Sequence, residues 1–238
     1  MIKKTLLPII LFLCSVSVIK AQTVDEIATK HVAALGGAEK LRAIKTITMD
    51  NTIGVQGMEF ENKMTIVIGK AMRSESKVMG SEMVQAFDGQ NAWAIMPSMM
   101  GGSGEPEAMP DEMAKGVAGQ TDAFPFLDYV DKGTKIELVG TEKVKDNDAY
   151  HLKVTKKDGS QSEYWIGVAN NLISKVKSIQ NGQEAEIYFS NHKEVEGVNF
   201  SMSMETSNPM AGTITVDTKA VTINGMVDES IFKMPAKK

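Results

Sequence analysis

Met58-Glu59-Phe60-Glu61-Asn62-Lys63-Met64-Thr65-Ile66-Val67-Ile68 is the stretch that decides the fold class. Its even positions are apolar except Asn62, and its odd positions are polar except Val67. Successive side chains of a strand point to opposite faces, so a period of two sets one face on apolar material and the other in water. That is the signature of an antiparallel sheet covered on one side. Val198, Phe200, Met202 and Met204 alternate in the same way with Asn199, Ser201, Ser203 and Glu205, and Ile214 and Val216 repeat the pattern between Thr213 and Asp217. Turn signals separate such runs: Val55-Gln56-Gly57, Asp88-Gly89, Asp146-Asn147, Asp158-Gly159, Asn181-Gly182, Glu196-Gly197 and Asn208-Pro209. Asp-Gly and Asn-Gly between alternating runs are strong hairpin cues. The count is ten or eleven strands, joined mostly as a meander, in a mainly β (α+β) chain.

On the N-terminal side the period lengthens. Val24, Ile27, Ala28, His31 and Leu35 fall at near-helical spacing, and Asp25 and Glu26 occupy the first turn, where the helix dipole favours acids. Gly36-Gly37 stops this helix, and Ala38 to Ile44 adds a further turn or two. One interval interrupts the meander. Pro97 to Pro110 is too rich in glycine and proline for a regular element, Asp111 to Ala118 reads as a short helix begun by acids, and Phe124 to Val130 is again apolar. A long structureless insert in a compact domain is usually either functional or disordered.

Lys3 and Lys4, the apolar run around Leu6 to Leu13, and the small Ala21 read as a cleavable export signal over residues 1–21. Lys20 cuts that run short of the roughly 20 apolar residues that a spanning helix needs. The expected destination is the periplasm, with 22–238 as one domain. Cys14 is the lone cysteine, so an internal disulfide is excluded, and Leu13 before it does not suit lipid attachment. Removing Lys3, Lys4 and Lys20 with the signal takes the net charge from −4 to −7, and Arg42 and Arg73 are the only arginines. Such a surface argues against nucleic acid, whose binding needs clustered cations to displace counterions, and against anionic lipid surfaces.

Enzyme signals are poor. His31, His151 and His192 sit in separate segments with no second ligand at metal spacing, and Gly102-Ser103-Gly104 is not a nucleophile elbow. No nucleotide phosphate loop appears. The expectation is therefore a non-enzymatic protein with no catalytic residues, no metal and no cofactor.

Methionine is the informative residue. There are 17, and eleven lie between Met49 and Met113. Core filling, a soft Cu(I) site and an adaptable apolar cavity are the three readings, the last because an unbranched thioether lets a lining re-pack around chains of different shape. Burying a methylene is worth about 0.8 kcal/mol, so a carrier of acyl chains must cover most of the chain yet hold it loosely enough to release it. The candidate lining is Phe60, Met64, Ile66, Trp93, Ile95, Phe200, Met202 and Met204, with Met96, Met99, Met100 and Met113 on a flap, Pro97 to Val130, that opens and closes. Trp93 reads equally well as plain core.

With these residues in view the chain resembles the LolA-like family of periplasmic lipoprotein-sorting proteins, in the form common in Bacteroidota. The resemblance rests on Val24-Asp25-Glu26-Ile27 with Ala34 to Leu41, on Ala86 to Trp93, Gly133 to Gly140, Ala149 to Thr155 and Val195 to Phe200, and on Asp228 to Pro235. It implies an open antiparallel half-barrel of about eleven strands, with helices covering the concave face, that binds the acyl chains of lipoproteins or other lipids and shuttles them towards the outer membrane. It also implies transient membrane-protein partners in the envelope, a monomer, and a strand arginine that tethers the lid, for which Arg73 is the candidate here. The rival reading is a protein–protein or envelope-sensing module on the same fold, with a filled interior.

Overall fold

The computed structural model describes residues 22–180, 183–208 and 212–237. The expected export signal with Cys14, the Asn181-Gly182 turn and Pro209 lie outside them. The described residues form thirteen strands in one open antiparallel sheet. They are β1 (Thr46–Val55), β2 (Met58–Val67), β3 (Ala71–Val78), β4 (Ser81–Phe87), β5 (Ala92–Ile95), β6 (Pro106–Ala108), β7 (Lys135–Val144), β8 (Asn147–Thr155), β9 (Gln161–Gly167), β10 (Ile173–Gln180), β11 (Gln183–Val195), β12 (Val198–Asn208) and β13 (Gly212–Ile223). The order across the sheet is 6-5-4-3-2-1-13-12-11-10-9-8-7. One meander runs outward from β1 to the β6 edge. The chain then crosses to the far edge and a second meander returns from β7, so that β13 lands beside β1.

The sheet has more strands than the pattern predicts, for two reasons. The β3–β4 turn is made by Met79 and Gly80, both at positive φ, and methionine carries no turn signature. The interval after Pro97 also holds structure: a 3₁₀ turn at Ser98–Met100, then the three-residue β6. That short strand, begun by Pro106, forms one edge, and brevity and proline both discourage pairing with another chain. Register shifts at Asp50/Asn51, Leu138/Gly140 and Ile173/Lys175 mark irregularities in the ladders. Such bulges bend and twist a sheet, as a half-barrel requires.

The helices are α1 (Val24–Leu35), α2 (Ala38–Ala43) and α3 (Asp111–Gly119). Thr23 and Glu26 close a capping box on α1. Gly36, at φ +131°, ends it where a Cβ would sit 2.4 Å from the Gly197 carbonyl oxygen, so glycine is required both by the backbone and by the neighbour. Lys40 donates to that same oxygen at 3.0 Å and Asn199 to the Ala34 carbonyl at 2.7 Å, which seats the α1–α2 corner on the β11–β12 turn.

Leu41, Ile44, Ile47, Phe124, Leu127, Val198, Phe200 and Met202 form one core cluster, and Ile27, Ala28, Phe126, Leu152, Val154 and Ile166 another. Both lie between the sheet's concave face and the cover of α1, α2 and residues 124–127. Phe126 contacts His31 and Tyr164 edge-on, with centroids 5.1 and 5.2 Å apart. Arg42 pairs with both carboxylate oxygens of Asp128, and the Tyr129 hydroxyl donates to Asp25. The segment expected to open as part of a flap is thus half core: residues 124–129 are wedged and clamped. Only 98–119, the β5–β6 turn and α3, is built lightly. α3 is nine residues long, contains Gly116 and Gly119, and places Val117 alone among its residues in the fully buried core. Short helices with glycine are marginal without packing.

Candidate functional site

Antiparallel partners share a face, so the register shows what the concave surface presents. Ile47, Met49, Asn51, Ile53 and Val55 of β1 stand opposite Ile66, Met64, Asn62, Phe60 and Met58 of β2. They also stand opposite Ile223, Val221, Thr218, Val216 and Ile214 of β13. Beyond β13 the same face carries Met204, Phe189, Ile187, Val176 and Tyr164. Beyond β2 it carries Met72, Ser74 and Ser76, then Phe87, Gln85 and Met83. At one end α1, α2 and residues 124–127 cover this face. At the other it is an apolar gutter whose residues, Ile53, Phe60, Met64, Ile187, Phe189, Met204 and Val216, are only half-buried.

A cavity of about 590 Å3 opens off the gutter between α3 and the β8–β9 hairpin. Met109, Met113, Val117, Tyr164, Val176 and Ile187 supply its apolar wall, with Gln85, Ser162 and Ser178 among them and Glu112, Lys115, Lys156 and Asp158 also lining it. Burial pushes the Tyr164 phenol up to about 12. Small-molecule sites occupy roughly 300–1,000 Å3, and this cavity falls in that range, with an apolar wall on the sheet side and a polar, charged rim. A second concavity, about 600 Å3, lies on the opposite face and is walled by Asp50, Glu61, Lys63, Arg73, Glu75, Lys77, Glu82 and Lys219. Its charged walls suit water, not hydrocarbon.

The chain has the fold of the LolA superfamily. A LolA superfamily protein from Nitrosomonas europaea superposes with a TM-score of 0.56 at 14% identity, over 90% of this chain and 98% of that one. A DUF1329 family protein from Desulfovibrio piger gives 0.58 at 15% identity, over 90% and 98%. A domain assigned to outer membrane lipoprotein sorting from Vibrio parahaemolyticus gives 0.58 at 15% identity, over 87% and 95%. No family model and no curated protein matches the sequence. At these identities the likeness establishes the LolA-type open half-barrel and nothing finer.

On this LolA-type frame the candidate lining divides. Phe60, Met64 and Met204 face the gutter and Met113 faces the cavity. Ile66, Phe200 and Met202 share the concave face but are closed over, Ile66 by Val117 of α3, and Phe200 and Met202 within the cluster around Phe124 and Leu127. Met96, Met99 and Met100 belong to the β5–β6 turn, where Met99 and Met100 are 58% and 53% exposed and the Met96 carbonyl accepts from Gly104.

Trp93 and Ile95 depart from expectation. Trp93 pairs with Ala86, which pairs with Arg73, and Ile95 pairs with Val84, which pairs with Glu75, so both lie on the convex face. Trp93 is buried and its indole donates to the Phe232 carbonyl at 2.7 Å. Alternation within a four-residue strand could not reveal which face was which. Arg73 departs as well: it donates to the Ile231 carbonyl at 3.0 Å, pairs with Glu75 at 2.8 Å and lies 5.6 Å from the Trp93 ring centre. It fastens the C-terminal segment Glu229–Phe232 to the back of the sheet, not a lid to the front.

Sequence reading missed Gln85, Met109, Tyr164, Val176 and Ile187. Met109 was visible in the methionine run. Tyr164, Val176 and Ile187 belong to strands β9 to β11, where lysine and glutamate on the outer face are interleaved with serine on the inner one, and the alternation is blurred.

Proposed function

We propose that residues 22–238 form a periplasmic carrier domain that binds acyl chains of lipoproteins or other lipids along the gutter and in the cavity under α3, and shuttles them towards the outer membrane. The observation that carries this reading is the hollow itself: among the described residues nothing packs over the end of the concave face lined by Phe60, Met64 and Met204, and it runs into a cavity walled by Met109, Met113 and Ile187. Each methylene placed there is worth about 0.8 kcal/mol, so a chain occupying a dozen carbons gains close to 10 kcal/mol before the entropy of ordering is deducted. α3 is the element that moves to admit it, because its packing is slight. The protein acts as a monomer after signal removal, exchanging cargo with transient envelope membrane-protein partners.

Native mass spectrometry of protein recovered from the periplasm tests this directly. Co-purifying lipid or acylated peptide is expected, and Met64→Lys with Met113→Lys is expected to abolish it while leaving the fold intact, since both side chains are half-buried. A wild-type protein that emerges clean and also ignores fluorescent fatty acids would defeat the carrier reading and leave the docking module.

A further inference from the structure

Asn62 breaks the alternation of β2, and in the structure it is the centre of a polar ladder laid across the floor of the apolar gutter. Thr218 of β13, Asn51 of β1, Asn62 of β2 and Ser76 of β3 are buried side by side on the concave face. The Thr218 hydroxyl donates to Asn51 Oδ1 at 2.9 Å, Asn51 Nδ2 to Asn62 Oδ1 at 3.0 Å, and Asn62 Nδ2 to Ser74 Oγ at 2.8 Å and Ser76 Oγ at 3.0 Å.

The direction of this ladder is fixed. Asn62 Nδ2 also reaches the Glu75 carbonyl at 3.2 Å, and a carbonyl only accepts. The Asn62 amide nitrogen must therefore face β3 and its oxygen β1. Asn51 in turn must offer its nitrogen to Asn62, which leaves its oxygen for Thr218. Every proton in the ladder points towards β3, and the ladder ends on the Ser74 and Ser76 hydroxyls, which share the two N–H protons of Asn62 with the Glu75 carbonyl. Each still carries a proton to give, and among the described residues neither gives it to a partner. Ser74 is half-buried, opposite Met64 on one side and Gln85 on the other. Gln85 lines the cavity under α3, and among the described residues its side-chain amide is likewise unpartnered. Donors held in a low-dielectric floor and polarised by a chain behind them are strong ones.

Resting on the carrier reading, we propose that Ser74 and Gln85, backed by Ser76, form a subsite for the ester or amide carbonyl that joins an acyl chain to its headgroup. The carbonyl oxygen accepts from the Ser74 hydroxyl and the Gln85 amide, while the chain runs on past Met64, Met109 and Met113. The ladder supplies orientation: it reads where the hydrocarbon ends, which an apolar gutter alone cannot do.

The test compares two probes with the same fluorophore and alkyl chain, the methyl ester of pyrenedecanoic acid and decylpyrene, by fluorescence titration. Wild type is expected to prefer the ester about tenfold, from two hydrogen bonds to a neutral acceptor. Ser74→Ala/Gln85→Leu is expected to lose that preference while binding decylpyrene at least as tightly, because both replacements make the wall more apolar, and that binding also shows that the variant is folded. Should the pair bind neither probe, the single variants carry the test, each losing about threefold of the preference. A preference that survives both single substitutions, or a wild type that binds the two probes equally, overturns the subsite. A wild type that binds neither overturns the carrier reading itself.

Discussion

His31 offers the sharpest quantitative prediction. It lies on α1, 1% exposed, with Nδ1 2.8 Å from the Asn171 carbonyl and Nε2 without a partner among the described residues. A carbonyl only accepts, so Nδ1 carries the proton and Nε2 is bare. Protonating the ring would bury a charge and add a second donor, Nε2–H, with nothing to accept it among the described residues, and desolvation lowers its pKa from 6.5 to about 4, against the opposing pull of the Asn171 carbonyl. Because this value is depressed, the unfolded chain binds more protons between pH 6.5 and 4, and stability falls as pH drops through that window. At about 1.4 kcal/mol per pH unit the full effect is about 3 kcal/mol, of which about 2.5 kcal/mol is lost by pH 4.5. Urea unfolding at pH 7.5, 6.5, 5.5 and 4.5 measures it. His192, half-buried and depressed by desolvation, adds in the same direction and is therefore kept in both proteins compared. His31→Leu is expected to be less stable than wild type by about 1–2 kcal/mol at pH 7.5, having orphaned the Asn171 carbonyl, and to match or exceed it at pH 4.5. Identical pH slopes in the two proteins would refute the reasoning, since they would mean that His31 is not held neutral by burial.

Three further outcomes follow from the packing. Gly36→Ala drives a Cβ into the Gly197 carbonyl at a backbone angle that side chains avoid, and thermal or urea denaturation should show a loss of at least ~2 kcal/mol. Phe126→Ala empties a site shared by α1 and β9 and is expected to cost about 3–5 kcal/mol; hydrogen exchange should show α1 loosening first, and unchanged protection there would contradict the wedge described for residues 124–127. Trp93→Phe removes the bond to the Phe232 carbonyl, so denaturation should record about 1–2 kcal/mol lost while the affinity for an acyl probe stays the same; a change in affinity would return Trp93 to the cavity wall.

Much of the fold was legible because it rests on local rules. The alternation from Met58 to Ile68 declares a one-sided strand, and Asp25, Glu26 and Gly36-Gly37 declare where α1 starts and stops. The β3–β4 turn was not legible, since Met79 takes a left-handed conformation only because the strands around it pair strongly enough to impose it. The site was legible in part. Phe60, Met64 and Met204 could be assigned a face because long alternating runs define one. Trp93 could not, because Ala-Trp-Ala-Ile is too short for its period to say which face meets the cover, and both faces of β5 turn out to bury something: α3 on the front, the C-terminal segment on the back.

The sequence by itself determined the fold class, α1 and the apolar face of the long alternating strands, since each follows from contacts between near neighbours in the chain. Only the tertiary structure decided which half of that face is filled and which is left open. That choice depends on where residues 124–127 and α3 come to rest after crossing from one sheet edge to the other, and such placements are set by the shape complementarity of segments far apart in sequence. The same holds for Asn62. One polar residue in an apolar row is an irregularity until β13, β1 and β3 bring Thr218, Asn51 and the serines beside it and give the row of amides a direction.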